Sequence, residues 1–165
     1  MTTVVNDVDA AKYYNKQPKK RLGAGVLIFN KRGEVLIVKP NYLEKWLWIG
    51  GGVEENEMPR VAALRECQEE IGVTLSSVWL GFVNYLPAQP TGQTDMLQFL
   101  FTASPVEDDF IEQLHLQANE IDDARFVPVS DLMNYLHDYR ARAVQTYFEN
   151  KKDLGALYLE DGRMV

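Results

Sequence analysis

The stretch from Gly51 to Val73, GGVEENEMPRVAALRECQEEIGV, constrains this chain more than any other. Pro59 suits a first helical turn and Gly72 a helix end, and between them residues 60–71 are mostly good helix formers. At about 100° per residue, Val61, Leu64, Cys67 and Ile71 form one apolar stripe. Glu66, Glu69 and Glu70 lie at i, i+3 and i+4, centred roughly opposite that stripe. One helix face therefore wants a core, and the other crowds three carboxylates. Like charges at this spacing destabilise a bare helix by about 0.2–0.5 kcal/mol per pair. A divalent cation would reverse that sign, and oxygen donors alone point to Mg²⁺, with Mn²⁺ as a substitute. The ordinary alternative is a solvated acidic face. What weighs against it is the lead-in, in which an apolar run, Trp46-Leu47-Trp48-Ile49, delivers the chain to Gly50-Gly51-Gly52. Glycines there let the backbone bend sharply and let a ligand come close.

The 165 residues are enough for one domain with a real core, and 46% apolar with 25% charged residues is the balance of a globular protein. A net charge of −7 argues against a nucleic-acid backbone as the main partner, because phosphate arrays favour basic surfaces. It leaves room for a small anion carried with a cation. One cysteine excludes an intramolecular disulfide, and Cys67 on the apolar stripe reads as a small buried hydrophobe. No run reaches the roughly 18 apolar residues of a membrane span, so no membrane partner is expected. The first residues, MTTVVNDVDAAKYYNKQ, lack the apolar stretch of a secretory signal, and the expected location is cytoplasmic.

Taken in order, residues 1–18 are weakly patterned and read as a flexible arm. Residues 22–29 and 34–38 read as two strands joined at Asn30-Lys31-Arg32-Gly33 into a hairpin, and residues 46–49 as a third strand. After the helix, residues 78–86 and 96–102 read as strands around a loop over residues 87–94, and residues 120–127 as a further strand. Ser130 is placed to cap a helix from Asp131 to about Asn150, with a break near His137. Residues 157–159 and 163–165 flank Glu160-Asp161-Gly162 as a terminal hairpin. Strands, helix, strands, helix give an α+β layer arrangement with a mixed sheet between helices.

The stretch also resembles the signature of the Nudix hydrolase family, MutT-like nucleotide pyrophosphohydrolases. That signature is Gly, five residues, Glu, seven residues, then Arg-Glu-apolar-any-Glu-Glu-any-Gly-apolar. Here it is met by Gly51, Glu57, Arg65, Glu66, Cys67, Glu69, Glu70, Gly72 and Val73. Ile49 stands where a Pro often precedes the glycines, and Asn56 where a Gly often precedes Glu57. Asn tolerates positive φ better than most residues, so the second departure is mild. The resemblance implies the α/β/α sandwich of Nudix domains over residues 19–150, with residues 151–165 as an extension packed on it. It also implies hydrolysis of a pyrophosphate bond in a nucleoside diphosphate linked to another group. Nucleoside triphosphates, nucleotide sugars such as ADP-ribose and dinucleoside polyphosphates are the candidate substrates.

By the same resemblance Glu66 and Glu70 are the leading metal ligands, with Glu69 and the Gly51 carbonyl as further ones. Glu66 or Glu69 is the candidate base, and Glu120, in the loop before the last helix, is a rival for that role or a further ligand. Arg65 reads as a group that orients carboxylates such as Glu57. Gly51 and Gly52, with Tyr42 as a stacking platform and Lys39 as a phosphate contact, are the candidate substrate-binding residues, although core packing or an ordinary surface position accounts for each side chain taken alone. A homodimer is compatible with all of this. The other function class to weigh is a Nudix-fold nucleotide-binding regulatory module without turnover, which loss of a signature carboxylate would favour. None is lost.

Overall fold

The computed structural model describes residues 7–152 and 155–164. Its elements are α1 (Asp7–Asn15), β1 (Arg21–Leu27), β2 (Val35–Pro40), β3 (Ile49–Gly52), α2 (Pro59–Ile71), β4 (Trp79–Leu86), β5 (Met96–Thr102), β6 (Ile121–Val127), α3 (Asp138–Asn150), β7 (Leu157–Glu160) and β8 (Arg163–Met164). A mixed sheet runs β3-β1-β5-β4-β7-β8, parallel at β1·β5 and β4·β7 and antiparallel elsewhere. A second sheet pairs β2 with β6.

Side-chain alternation along the strands divides the interior between two helices. Ala24 and Val26 of β1, Leu36 and Val38 of β2, and Phe101 of β5 join Ala62, Ala63, Cys67 and Ile71 of α2 in one core. Leu27 of β1, Ile37 of β2 and Leu100 of β5 meet Ala141, Val144 and Tyr147 of α3 in the other. The result is an α/β/α sandwich with the sheets between α2 and α3.

Several elements depart from the sequence expectation. Residues 22–29 and 34–38 share only the turn and one bridge, Phe29 with Val35. Beyond it β1 pairs with β3 and β5 while β2 leaves for β6, so the expected hairpin splays into two sheets. The third strand lies later than expected and includes the glycines, because Gly50, Gly51 and Gly52 pair with Gly25, Ala24 and Gly23. Ser130 caps no helix. It lies within a 3₁₀ helix over Val129–Asn134, and α3 starts only at Asp138, after the break near His137. The expected arm is helical over Asp7–Asn15, and residues 1–6 lie outside the described set. The terminal hairpin forms, with Asp161 at φ 48° and Gly162 at φ 77° as the pair of positive-φ turn residues that favours tight hairpins.

Candidate active site

Helix α2 begins with Pro59 at its first position and ends at Gly72, whose N–H donates to the Gln68 carbonyl at 3.1 Å. Its buried residues are Ala62, Ala63, Cys67, Glu70 and Ile71, whereas Val61 is 39% exposed. The core face is therefore rotated from the expected stripe of Val61, Leu64, Cys67 and Ile71. The small Ala62 and Ala63 let the helix lie close on β1 and β3, and that contact sets the face more strongly than the larger Val61 does. The rotation brings Glu70 inward to 6% exposure and half-buries Glu66, leaving Glu69 to solvent. The three carboxylates do not share one solvent face.

Each acid has a definite partner. The Gly50 N–H donates to Glu70 Oε2 at 2.9 Å. Arg65 binds Glu57 with both arms of its fork, Nε to Oε1 at 2.9 Å and Nη2 to Oε2 at 3.1 Å. Its Nη1 also donates to Glu66 Oε1 at 2.8 Å and Glu69 Oε2 at 2.9 Å, and its Nη2 to the Gly52 carbonyl at 3.1 Å. Arg65 thus ties α2 to the glycine turn and to the Glu57 loop. That loop turns at Asn56, with φ 61°, the conformation expected where Asn replaces Gly.

The glycines are required by closeness. At Gly50, with φ 142°, a Cβ would collide with the Ala24 carbonyl oxygen and with Gly25 Cα. At Gly51 a Cβ would lie 2.5 Å from Glu66 Oε1, so the missing side chain is what lets the Glu66 carboxylate reach the backbone.

The loop before β6 is pinned to the end of α2. The His115 N–H donates to the Ile71 carbonyl at 2.9 Å and the Gln117 N–H to the Glu70 carbonyl at 3.0 Å. Glu120 follows, near enough that its charge raises the proton affinity of both Glu66 and Glu70. Burial is the main cause of both rises. Glu70 is pushed up to about 8, against the opposing Gly50 N–H, and Glu66 is raised despite its bond to Arg65. Glu57 moves the other way, lowered first by Arg65 and then by the Glu54 N–H. Tyr42 belongs to the same electrostatic neighbourhood: although 62% exposed, its hydroxyl is raised by partial burial and then by Glu70, Glu120 and Glu66. The ammonium of Lys39 donates to the Pro40 and Leu43 carbonyls at 2.9 and 2.5 Å, so it holds the Tyr42 loop. As a phosphate contact it would first have to leave these carbonyls.

Among the described residues no three His, Cys, Asp or Glu side chains converge on one point. Arg65 occupies the place of a cation for Glu66 and Glu69, and Glu70 is turned to the Gly50 N–H. The donor chemistry nonetheless fits a hard divalent ion. It consists of oxygens only, and burial with the neighbouring acids outweighs the one cation, Arg140, that acts on Glu70.

The fold and these contacts can be set beside known proteins. A family model described as NUDIX domain matches residues 19–148. The chain belongs to the NUDIX domain family. Over 58 residues the NUDIX domain is 41% identical to RNA pyrophosphohydrolase of Hydrogenovibrio crunogenus, a match covering 35% of each chain. The chain spans about a third of the length of that curated relative. Among solved structures it is similar to a MutT protein from Methanosarcina mazei, with a TM-score of 0.67 at 20% identity over 84% of this chain and all of that one. It is equally similar in fold to the NUDIX domain of Shewanella oneidensis NrtR complexed with ADP ribose, with a TM-score of 0.67 at 15% identity over 90% of this chain and 99% of that one.

Two residues of this NUDIX domain were not singled out from sequence. Arg140 of α3 lies over Trp48, with its guanidinium carbon 4.4 Å from the ring centroid. Gln98 of β5 is 4% exposed beside it. Neither belongs to a motif. An Arg three residues into an amphipathic helix and a Gln in an apolar strand carry no signal until the sheet brings them together.

Proposed function

We propose that this NUDIX domain hydrolyses a pyrophosphate bond in a small nucleotide-type substrate, with Mg²⁺ held by Glu66 and Glu70. The observation that carries this reading is Glu70, a carboxylate buried against the Gly50 N–H beside Glu66 and within the field of Glu120. A buried acid whose proton affinity is raised by desolvation and by other acids is a functional-site candidate on physical grounds. A bound Mg²⁺ would supply the charge that quiets the anhydride oxygens and makes water a nucleophile near neutral pH.

The chain's own residues supply the remainder. Arg65 positions Glu66 and Glu69 and holds the Gly52 carbonyl. Glu69 is the most exposed of the three and among the described residues is held only by Arg65, so we assign the removal of a proton from water to it or to Glu120. Gly51, against which the Glu66 carboxylate packs because no Cβ intervenes, offers its carbonyl as a further ligand candidate. Tyr42, on its exposed loop, is placed to stack on a base or sugar. The name of the curated relative suggests a 5′-phosphorylated RNA end, and the ADP ribose of the NrtR complex suggests a nucleotide sugar. The net charge of −7 favours the smaller ligand.

The test is a phosphate-release screen with Mg²⁺ over nucleoside triphosphates, ADP-ribose, dinucleoside polyphosphates and a 5′-triphosphorylated RNA oligonucleotide, with both products identified. Cleavage between phosphorus atoms of at least one member, abolished by EDTA and restored by Mg²⁺, is the expected result. Binding of a panel member without turnover at any Mg²⁺ concentration would replace the hydrolase with the binding-module reading.

A further inference from the structure

We propose that Arg140 and Gln98 form a phosphoryl-binding subsite beside Gly50 and Gly51, separate from the carboxylates of α2. The two side chains line a cavity of about 90 Å³ together with Trp48, Gly50, Gly51 and Met96. That volume is roughly three waters' worth at about 30 Å³ each, the scale of one phosphoryl group. No acidic side chain lines it.

Both residues offer donors. Gln98 Oε1 accepts from Asn84 Nδ2 at 3.4 Å, and Asn84 Oδ1 in turn accepts from the Gly162 N–H at 3.0 Å, which fixes the orientation of both amides. The Gln98 Nε2 is then left with no acceptor among the described residues and borders the cavity, in a side chain 4% exposed. Arg140 Nε donates to the Tyr139 hydroxyl at 3.0 Å, and neither terminal nitrogen meets an acceptor among the described residues. The guanidinium lies 4.4 Å from the centroid of the nearly buried Trp48 ring and 5.6 Å from that of Tyr139, a platform that fixes the plane of the fork. Arg140 has no carboxylate partner among the described residues, although its charge partly offsets the burial of Glu70. A preoriented cation and a buried amide donor, with no anion between them, suit an acceptor-rich anion, and a guanidinium fork matches two phosphoryl oxygens. The subsite thus adjoins the proposed metal site at Gly51 and uses none of its carboxylates. It rests on the hydrolase reading only for what lies beyond the phosphate.

The experiment is calorimetric titration of the whole protein with inorganic pyrophosphate in EDTA, and separately with adenosine. Arg140→Met keeps an apolar stem over Trp48 without the charge, and Arg140→Lys keeps the charge without the fork. Gln98→Glu keeps an oxygen for Asn84 and replaces the donor with an acceptor. Wild type should bind pyrophosphate. Arg140→Met and Gln98→Glu should weaken that binding at least tenfold with melting temperatures within a few degrees of wild type, Arg140→Lys should lie between, and the exposed Arg32→Met should change nothing. With a turned-over substrate and Mg²⁺, Arg140→Met should raise KM more than it lowers kcat. Equal pyrophosphate binding by wild type and Arg140→Met, no binding by wild type, or adenosine binding that depends on Arg140 would each overturn the subsite. Arg140-dependent pyrophosphate binding in a protein that hydrolyses nothing would overturn the hydrolase and leave the subsite standing. Turnover with Arg140-independent binding would do the reverse.

Discussion

Glu70 carries its carboxyl into the contact between α2 and β3, where one backbone N–H is its only direct partner among the described residues. Its proton affinity rises to about 8 because burial removes water from the charged form, and Glu66 and Glu120 add to the effect. The unfolded chain releases this proton near the ordinary value of 4.5, whereas the folded chain keeps it to about 8. The stability it contributes is therefore whole below pH 4.5, declines as pH rises toward 8, and is gone above that. In EDTA the melting temperature of wild type should fall across this interval relative to that of Glu70→Gln, which cannot ionise, and the corresponding stability difference should be on the order of a few kcal/mol at pH 8. Thermal melts of both proteins from pH 4.5 to 9 check this, and parallel curves would show that Glu70 titrates normally. Sequence spacing named Glu70 but placed it on a solvent face, because periodicity counts apolar residues and cannot register that two alanines approach a sheet more closely than a valine. Arg65 and Glu57 were easier to read, since an ion pair between signature positions needs only the turn at Asn56 to close.

At the scale of elements, the strands were legible where apolar residues run continuously between turn signals, as in β5, expected and found over Met96–Thr102. Pairing was not legible. A tight turn at Asn30 through Gly33 suggests a hairpin, yet β1 has a better use in the middle of the sheet, between β3 and β5. That position brings Gly25 against Gly50 and creates the closeness the glycine turn requires. The packing of α2 is the element-level device that aims the acids, so it can be tested directly. Ala63→Leu should overpack the contact with the sheet by about 1–3 kcal/mol, lowering the melting temperature by several degrees. It should also lower kcat, because the helix moves with its carboxylates. An Ala63→Leu protein that melts lower but keeps full kcat would show that the position of the acids is not set by this contact.

The whole molecule divides its labour between two faces. The α2 side holds the acids and the guanidinium that orders them, and α3 contributes Arg140 to the small cavity. The loops at 40–45 and 105–120 bring Tyr42 and Glu120 into the field of Glu66 and Glu70, and loops on a rigid scaffold are where selectivity usually resides. Tyr42→Ala should shift relative kcat/KM among nucleotides by about 1–3 kcal/mol of discrimination while leaving the Mg²⁺ requirement unchanged, as competition assays on substrate pairs would show. An unchanged substrate ranking would remove Tyr42 from the binding site. The signature and the layer order could be read from the sequence because each is local or follows from element order. The contribution of α3 could not, because it depends on which sheet face the last helix covers. The central claim is that Glu70 serves metal-dependent hydrolysis rather than the fold, and it is tested most directly by kcat of Glu70→Gln on the best substrate at saturating Mg²⁺, with melting compared in EDTA so that metal binding does not contribute. The account predicts a loss of at least a hundredfold in a protein that melts no lower than wild type, and a Glu70→Gln enzyme within a few-fold of wild-type kcat would contradict it.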